Sequence, residues 1–436
     1  MKSSPAFDRR TFLMVGTASV GLGILTLAGC VTSPPPVPGG NAAAGGATEV
    51  KTINFYGNSL GEDAQKVAWQ AVVDGFQKQS GVTIKPVIYP YDQAATQLAL
   101  TGRSGKLLGV GQAGPWQVLS PMGVLADLTD LADGLGIPQG VLDTYTIDGK
   151  LYVLPLTAAG IGLIVNGEIA SSVGLESGLS TDEFATALEK IKSQDPSLIP
   201  YAAVTKNPDL KDAVHWMWGF GSEVVTADLE CTIGDKESVA AMTWYKGLQD
   251  QGLTQPNVAR SDGRILFARG QTAAYDDAPL ASTFVKTNGA AQNVIDNITA
   301  ISRPQYKGKD SFNRAWGGGL FVTAGEGEAT SRDFALFAAT DLDAATALYE
   351  QSAVAPAAKS VADQIPALAS DKFQTVFRTE VSEHARGAAW DRIAVTAQID
   401  TTIGEGVAAI LAGQADVQSG LNDLKQKVQS LLDSNA

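Results

Sequence analysis

Cysteine and histidine are scarce in this sequence. Its 436 residues include only two cysteines, Cys30 and Cys231, and two histidines, His215 and His384. Two cysteines cannot form the disulfide framework of a small secreted domain. At these distant positions the four residues do not form a zinc-binding pattern either. We therefore expect a protein without a bound metal ion or cofactor.

Positive charge is also in short supply. There are 32 Lys and Arg residues against 46 Asp and Glu residues, which gives a net charge of −14 at pH 7. A surplus of negative charge repels phosphate groups, so it argues against nucleic acid and against anionic membrane surfaces as partners. It disfavours a polyanionic ligand for the same reason. The length of the chain predicts two domains or lobes, each with its own core.

Long apolar runs are lacking except near the start of the chain. The stretch Phe12–Ala28 follows Asp8-Arg9-Arg10 and is shorter than the ~20 residues of a typical membrane-spanning helix. A charged opening, an apolar core and small residues before a cut are typical of an export signal. Residues 1–29 are therefore predicted to be a signal peptide, with an uncleaved single-span anchor as the alternative. Arg9-Arg10, followed by Phe12-Leu13, resembles the twin-arginine export motif.

The signal ends in a recognisable four-residue run. Leu27-Ala28-Gly29-Cys30 resembles the lipobox of bacterial lipoproteins, which implies that Cys30 is the site of lipidation, carries acyl chains such as palmitate and becomes the new N-terminus. Residues 30–49 are rich in Pro, Gly and Ala, a composition that predicts a flexible tether. Two or three acyl chains would hold the protein on the outer face of the bacterial cell membrane more firmly than one chain.

The rest of the chain alternates between strand and helix patterns. Val50–Tyr56 and Val82–Tyr89 have the composition of strands, and Glu62–Ser80 between them has the apolar spacing of a helix. Such alternation predicts an α/β fold with open sheets. From Gly327 onward the pattern is mostly helical. The other predicted elements are a helix at 93–101, a strand at 106–110, a hairpin at 147–152, a strand at 161–165, helices at 180–192, 212–220 and 237–250, a helix-to-strand unit at 264–275, and strands at 294–301 and 316–323.

Several blocks of the sequence carry a family resemblance. The most specific is Asp148–Pro155 followed by Leu163–Asn166, which looks like D-G-K-x-Y-G-L-P followed by L-x-Y-N-K. In their order and spacing the blocks resemble the extracellular solute-binding proteins of ABC importers, in the group that includes maltose- and oligosaccharide-binding members. The resemblance extends over nearly all of residues 50–430. The other blocks are Phe76–Ile84, Gly123–Leu128, Phe267–Ala274, Gly317–Gly319 and Val354–Pro356.

The resemblance implies a periplasmic-binding-protein-like fold of two α/β lobes with multiple crossovers and a mostly helical C-terminal region. Lobe 1 would comprise residues 50–157 and 278–324, and lobe 2 residues 158–277 and 325–436. A ligand would bind between the lobes, at the carboxyl ends of strands, and the lobes would close over it by a hinge motion. The resemblance therefore predicts a monomer that catalyses no reaction. It would capture a mono- or oligosaccharide and deliver it to the transmembrane subunits of an ABC permease.

Candidate ligand-binding residues combine flat aromatic faces with hydrogen-bonding groups, because sugars have apolar C–H faces and polar rims. Trp69 and Trp244 lie on amphipathic helices and are predicted to be core residues. Trp216 and Trp218 are two residues apart on a helix and face different directions, so one is expected in the core and the other at the ligand. A buried role is the alternative for each Trp, and a surface ion pair is the alternative for Arg386. The candidates for ligand contact are Asn58, Gln112, Trp116, Trp216, Trp218, Asp276, Asp277, Trp316, Gly317, Arg386 and Trp390.

Other functions stay open. The ligand of a binding protein could instead be a polyamine, a glycerol phosphodiester or a peptide. Gly57–Gly61 fits the G-x-S-x-G nucleophile elbow, which leaves an anchored esterase or glycosidase as the alternative from another class. No Asp-x-x-His pattern surrounds His384, so no catalytic residue is expected. Gly109–Gly114 matches G-x-G-x-x-G, but Pro115 interrupts the unit that a dinucleotide site requires, and the glycines are expected to allow close backbone approach.

Overall fold

The computed structural model describes residues 50–89, 91–114 and 116–434. The predicted export signal, Cys30, the tether and Pro115 lie outside these residues. The strands of the described residues are β1 (Thr52–Gly57), β2 (Thr83–Ile88), β3 (Gly109–Gln112), β4 (Thr146–Ile147), β5 (Lys150–Leu151), β6 (Leu154–Asn166), β7 (Ile199–Ala202), β8 (Thr272–Asp277), β9 (Ile298–Ile301), β10 (Asn313–Val322) and β11 (Ala385–Arg386).

The helices surround these strands. In the part of the chain that the structure describes, no helix combines the length and the apolar character needed to cross a bilayer. The helices are α1 (Asp63–Ser80), α2 (Tyr91–Arg103), α3 (Trp116–Leu119), α4 (Thr129–Ala132), α5 (Gln139–Thr144), α6 (Gly167–Val173), α7 (Thr181–Gln194), α8 (Val214–Phe220), α9 (Lys236–Asp250), α10 (Arg260–Ala268), α11 (Ala281–Thr287), α12 (Gln292–Asn297), α13 (Glu328–Thr340), α14 (Leu342–Ser352), α15 (Lys359–Ala362), α16 (Pro366–Ser370), α17 (Lys372–Phe377), α18 (Thr396–Leu411) and α19 (Val417–Asp433).

Local sequence sets the ends of the longer helices. Helix α1 ends at Gly81, which has a left-handed φ of 72° and donates its N–H to the carbonyl of Gln77. Glycine adopts this conformation without the steric cost that a side chain brings. Helix α7 begins with the predicted capping box, in which Ser180 and Glu183 each bond the other's backbone N–H. The buried face of α1 includes Ala68, Trp69, Val72, Val73 and Phe76.

The main sheet has the strand order β2-β1-β3-β10-β6-β8-β7. Strands β1, β2 and β3 are parallel to one another, whereas β10 runs antiparallel to β3 and to β6. Strands β7 and β8 form a second parallel pair. The carboxyl ends of β1, β2 and β3 therefore lie together at one edge of the sheet, which is where open α/β sheets bind ligands.

Strand β6 is the longest strand and pairs with different neighbours along its length. Its first half, residues 154–161, pairs with β10. Its second half pairs with β8 and β9 through residues 162–166. The segment around Pro356 bonds the other edge of the first half, through Ala158 N to Ala355 O at 3.2 Å and Ala357 N to Leu156 O at 2.9 Å. One continuous strand thus joins the two ends of the sheet.

The buried apolar side chains form two large clusters. The first core contains Phe55, Phe76, Phe321 and Phe334. The second core contains Phe184, Tyr201, Trp216, Trp390 and the inner faces of α18 and α19. Cys231 is buried in the second core.

The packing bears on how the chain divides between the two cores. Helices α13 and α14 contribute to the first core, although the sequence placed residues 325–436 with the second lobe. Residues 281–301 pack against the second half of β6, although the sequence placed residues 278–324 with the first lobe. The division into lobes stays a prediction. The packing favours placing α13 and α14 in lobe 1 and residues 281–301 in lobe 2.

Most predicted elements are present, with ends displaced by a few residues. The hairpin at 147–152 is the pair β4 and β5, and the strand at 161–165 is part of the longer β6. The prediction of a strand over the whole of Val294–Ile301 is wrong, because α12 extends to Asn297 and only Ile298–Ile301 is extended. The N-terminal turn of the predicted helix at 212–220 is a 3-10 turn over Asp209–Ala213.

Candidate functional site

One side of β10 pairs with β6, and on the opposite side part of β10 has no strand beside it among the described residues. Strand β3 pairs with residues 320–322 of β10 and β11 pairs with residues 313–314, so residues 315–318 lie between the two pairings. We call residues 315–318 the exposed segment of β10. Trp316 there is 41% exposed, and Gly317 beside it is also exposed. Since β10 is antiparallel to β3, this segment lies beyond the carboxyl end of β3.

Two glycines of β10 allow close packing on β6. A Cβ atom on Gly317 would overlap the carbonyl oxygen of Thr157, and one on Gly319 would lie 2.5 Å from the carbonyl oxygen of Leu154. Gly318 between them has room, since its nearest neighbour would be Thr157 Oγ1 at 3.7 Å. The Gly318 N–H instead donates to that hydroxyl at 2.9 Å. Gly317 is therefore required by packing, and its part in ligand binding stays a prediction.

The loops after β1 and β3 are bonded to each other. Gln112 Oε1 accepts from the backbone N–H of Asn58 at 3.0 Å and from that of Ser59 at 3.3 Å. A Cβ on Gly57 would overlap the Gln112 side chain, so only glycine leaves room for this crossing. Asn58 also donates to Glu62 Oε1 at 2.6 Å. Both Asn58 and Gln112 are half-buried at the carboxyl edge of the sheet, as the sequence predicts.

Arg386 lies at the other end of the exposed segment. It pairs with Arg314 where β11 joins β10. Its guanidinium carbon is 5.1 Å from the ring centroid of Trp218 and 5.3 Å from that of Phe312. Arg386 Nη2 donates to Glu223 Oε2 at 2.5 Å, and the two side chains are 29% and 59% exposed. The predicted surface ion pair is thus present. Arg386 lies beside Arg314, which is two residues before Trp316 on β10.

Asp276 and Asp277 are held in buried ion pairs. Asp276 accepts from Arg303 Nη2 at 2.8 Å and from the Tyr201 hydroxyl at 2.6 Å. Asp277 accepts two bonds from Arg264, at 2.8 Å and 2.7 Å. A carboxylate in such a pair has its charge balanced and its lone pairs engaged. Their predicted contact with a ligand is not tested by these bonds, and it stays a prediction.

Four of the candidate tryptophans lie in the interior. Trp116 packs against Tyr145 and Tyr152, with ring centroids 5.9 Å and 6.5 Å away. Trp216 and Trp218 are both 2% exposed, although the sequence predicted that only one would be buried. Trp244 and Tyr245 pack around Trp216. Arg386 and Trp390 pack around Trp218. Trp390 Nε1 donates to Asp400.

The structure thus brings together five of the eleven candidates. Asn58, Gln112, Trp316, Gly317 and Arg386 lie along the carboxyl edge of the sheet and the exposed segment of β10. The other six are enclosed. The sequence reasoning missed Thr157, whose hydroxyl fixes the bulge where β10 changes register on β6. A threonine after Pro155 in an apolar run gives no local signal of that contact.

The two short motifs have structural explanations. Ser59 is buried, donates to Gln65 Oε1 at 2.7 Å and accepts from Gln112 Nε2, so its hydroxyl is not presented as a nucleophile. Gly109 and Gly111 let the backbone of β3 approach Asn54 and the ring of Phe321, where a Cβ atom would overlap them. These contacts are the close backbone approach that was expected of the glycines.

A separate groove lies on the second core. It has a volume of about 400 Å³ and runs between residues 205–207, Pro256 and α18. Pockets for small ligands reach this size. Among the described residues that line it there is no aromatic side chain, and its rim carries Lys206 and Glu405. For a ligand with flat apolar faces it is a poorer match than the exposed segment of β10.

Known proteins of similar sequence and structure were compared with this chain. A model of the bacterial extracellular solute-binding protein family matches residues 71–375. Binding proteins of Brucella abortus (strain 2308) and Brucella suis biovar 1 (strain 1330) are 28% identical over 167 residues. That match covers 37% of this chain and 40% of each relative, so less than half of their length is matched.

Solved structures show a closer likeness in fold. The sugar-binding protein MalE of Xanthomonas citri has a TM-score of 0.76 at 16% identity, covering 88% of this chain and 98% of that one. The cyclic alpha-maltosyl-1,6-maltose binding protein of Arthrobacter globiformis has 0.74 at 18%, covering 89% and 100%. The GacH receptor of Streptomyces glaucescens GLA.O has 0.70 at 21%, covering 88% and 99%. These matches confirm the predicted α/β fold of this type of binding protein.

Proposed function

Because the chain belongs to the bacterial extracellular solute-binding proteins, we propose that it captures a carbohydrate and delivers it to an ABC permease. The single observation that carries the proposal is the exposed Trp316 on the glycine-rich strand β10. Strand β10 spans from the loops of the first core to the residues around Arg386 of the second. A solute bound there would touch elements of both cores.

The chemistry of the exposed segment suits a sugar. The indole face of Trp316 offers a flat apolar surface for the C–H face of a pyranose ring. Asn58 and Arg386 each keep polar atoms besides the one that bonds Glu62 or Glu223, and these atoms can bond hydroxyls around the ring. Gln112, whose amide is bonded to Ser59 and to the backbone of Asn58, holds the loop that carries Asn58. These polar groups are half-buried and therefore reachable by a solute. On binding, the sugar hydroxyls would replace their hydrogen bonds to water with hydrogen bonds to these groups. The likeness in fold to a cyclic alpha-maltosyl-1,6-maltose binding protein and to a sugar-binding protein supports this class of ligand.

Capture would use closure of two lobes. Lobe 1 would contain the first core with α13 and α14, and lobe 2 the second core with residues 281–301, an assignment that follows the packing. The crossings between them would lie on β6, β10 and the segment around Pro356. Closure over the solute would exclude water from it and supply the affinity. The protein would act as a monomer and would catalyse no reaction.

The protein's family is extracellular, and we extend the proposal to a lipid anchor. Cleavage before Cys30 and acylation of its thiol would attach the protein to the outer face of the cell membrane. The chain from residue 30 to 49 would then act as a tether for the folded body. An anchored receptor stays within reach of its permease, which is the benefit of lipidation here.

Thermal unfolding in the presence of a sugar panel tests the choice of ligand. A solute that binds only the folded state raises Tm. The wild-type protein is expected to show a raised Tm with at least one mono- or oligosaccharide, and Trp316→Ala is expected to lose that shift. Leu342→Ala is the matched control, because Leu342 is 39% exposed and lies outside the site.

The alternatives give different outcomes. A shift with a polyamine, a glycerol phosphodiester or a peptide, and with no carbohydrate, would overturn the sugar proposal. Release of product from an ester or glycoside that disappears in Ser59→Ala would overturn the absence of catalysis. A crystal structure of the complex with the solute in the groove near Pro256 would overturn the choice of site while leaving the choice of ligand.

A further inference from the structure

A small cavity lies inside the second core, next to the end of β8. Its polar lining consists of Asp212, His215, Tyr245, Arg260 and Asp276. It leaves about 10 Å³ for the centre of a water-sized sphere. Buried cavities with polar walls and room for one such sphere normally hold an ordered water molecule.

Three atoms of this lining have no hydrogen-bond partner among the residues that the structure describes. They are Asp212 Oδ1, His215 Nδ1 and Arg260 Nε, each of which is shielded from solvent. The remaining carboxylate oxygen of Asp212 already accepts from Arg260 Nη2. A buried polar group without a hydrogen bond destabilises the folded state, so three in one place are unusual for a native core.

The other polar groups at the cavity are already engaged. The Tyr245 hydroxyl donates to Val204 O at 2.6 Å. Asp276 accepts from Arg303 and Tyr201. Lys211 Nζ approaches Asp212 Oδ1 only to 3.6 Å, which is beyond hydrogen-bond distance. Within the described lining of this cavity, the unpaired atoms thus belong to Asp212, His215 and Arg260.

We infer that this cavity binds one buried water molecule, held by Asp212 Oδ1, His215 Nδ1 and Arg260 Nε. The three atoms need a partner that both donates and accepts, because a carboxylate oxygen accepts only and an arginine Nε donates only. Water meets both needs and bonds His215 Nδ1 in either tautomer. Three bonds are the usual number for a buried water. Arg260 would repel a cation and Asp212 would repel an anion, so a neutral molecule fits best.

The water would link three separate pieces of the chain. Asp212 belongs to the 3-10 turn over Asp209–Ala213, His215 to α8 and Arg260 to the start of α10. Burial, together with the charges of Arg303, Arg260 and Arg314, lowers the pKa of His215 well below its usual value. A neutral imidazole is the form that a water molecule can bridge to a carboxylate without adding charge. The site is independent of which solute the protein binds.

A crystal structure of the folded protein, at a resolution that shows ordered water, tests the inference. Density for one water within hydrogen-bond distance of all three atoms is expected. An empty cavity, or side chains that have moved to pair directly, would overturn it. Oxygen-17 relaxation dispersion in solution counts long-lived internal waters and does not require a variant to fold.

Two variants separate the water from the shape of the cavity. His215→Leu has a similar volume but lacks Nδ1, so it is expected to lose one long-lived water. Tyr245→Phe removes a hydroxyl that lines the cavity but is bonded to Val204, so the water is expected to stay. If both variants keep the same number of long-lived waters as the wild-type protein, His215 does not hold a water and the inference is wrong.

Discussion

Arg303 and Asp276 form an ion pair of 2.8 Å in which both side chains are almost fully buried, at 1% and 2% exposure. Arg303 also donates to Ile161 O and Asn313 Oδ1, and its guanidinium carbon lies 4.9 Å from the ring centroid of Trp216. The pair therefore joins β6, β8 and β10 to the second core. A buried pair of this kind is sensitive to the loss of either partner, because the other charge is then left uncompensated.

Arg303→Met is expected to lower the free energy of unfolding by about 3–5 kcal/mol. Arg303→Met combined with Asp276→Leu is expected to lower it by less than the sum of the two single changes, since no charge is left unpaired. Urea unfolding measures all three variants. Lys246→Met, in the exposed pair with Asp250 on α9, is the control and is expected to change stability by less than about 1 kcal/mol. Equal losses in the buried and the exposed pair would contradict the prediction.

Gly317 and Gly318 are expected to differ in their tolerance of a methyl group. Gly317→Ala places a Cβ against the carbonyl of Thr157 and is expected to cost about 1–3 kcal/mol through displacement of β10 from β6. Gly318→Ala places its Cβ at ordinary van der Waals distance from Thr157 Oγ1 and is the matched control, with an expected change within about 1 kcal/mol. Urea unfolding of both variants decides, and equal tolerance at the two positions would show that β6 and β10 separate easily.

His215 is expected to make stability depend on pH. Its pKa is well below the usual value in the folded protein, because of burial and of nearby Arg303, Arg260 and Arg314. The unfolded chain binds a proton near its ordinary pKa of about 6.5, and the folded state does not. Stability is therefore full above about pH 6.5 and falls as the pH decreases, by at most about 1.4 kcal/mol per pH unit from this group.

Unfolding free energies measured from about pH 7.5 to about pH 5 test that slope. His215→Leu is expected to lose less stability than the wild-type protein over this range, because it lacks the group that titrates. His384→Asn changes an exposed histidine and is the matched control for the loss of an imidazole. If the slope of His215→Leu equals that of the wild-type protein, His215 is not the cause of the pH dependence.

Cys231 is expected to react slowly with thiol reagents. It is 4% exposed, and burial raises the pKa of its thiol to about 11. Since the thiolate is the reactive form, modification by a disulfide reagent at pH 8 is expected to be much slower in the native protein than in urea. A variant with Cys30→Ser removes the other cysteine and leaves Cys231 as the only thiol. Fast labelling of that variant under native conditions would contradict the burial.

Much of the fold could be predicted from local patterns, and the site only in part. Gly81 and the Ser180–Glu183 box set helix ends through bonds within a few residues, which the sequence displays directly. The predicted strand that ends at Ile301 begins too early, because α12 and β9 both contain β-branched residues and local composition does not distinguish them.

The buried site residues depended on distant partners. Spacing alone indicates that Trp216 and Trp218 face different directions. Both are nevertheless buried, because α9 packs against Trp216 and Trp390 packs against Trp218. The partners of Asp276 and Asp277 are arginines 27 and 13 residues away. No local pattern distinguishes such a carboxylate from one that faces a ligand.

The contribution of α13 to the first core has a consequence for how the chain folds. Phe334 packs against Phe55 and Phe76, with ring centroids 5.6 Å and 5.1 Å away, so this core joins side chains that are almost 280 residues apart in the chain. A chain that has emerged only as far as residue 327 can form β1, β2 and β3 but leaves those rings uncovered. The N-terminal third therefore cannot complete the first core on its own, because α13 supplies part of it.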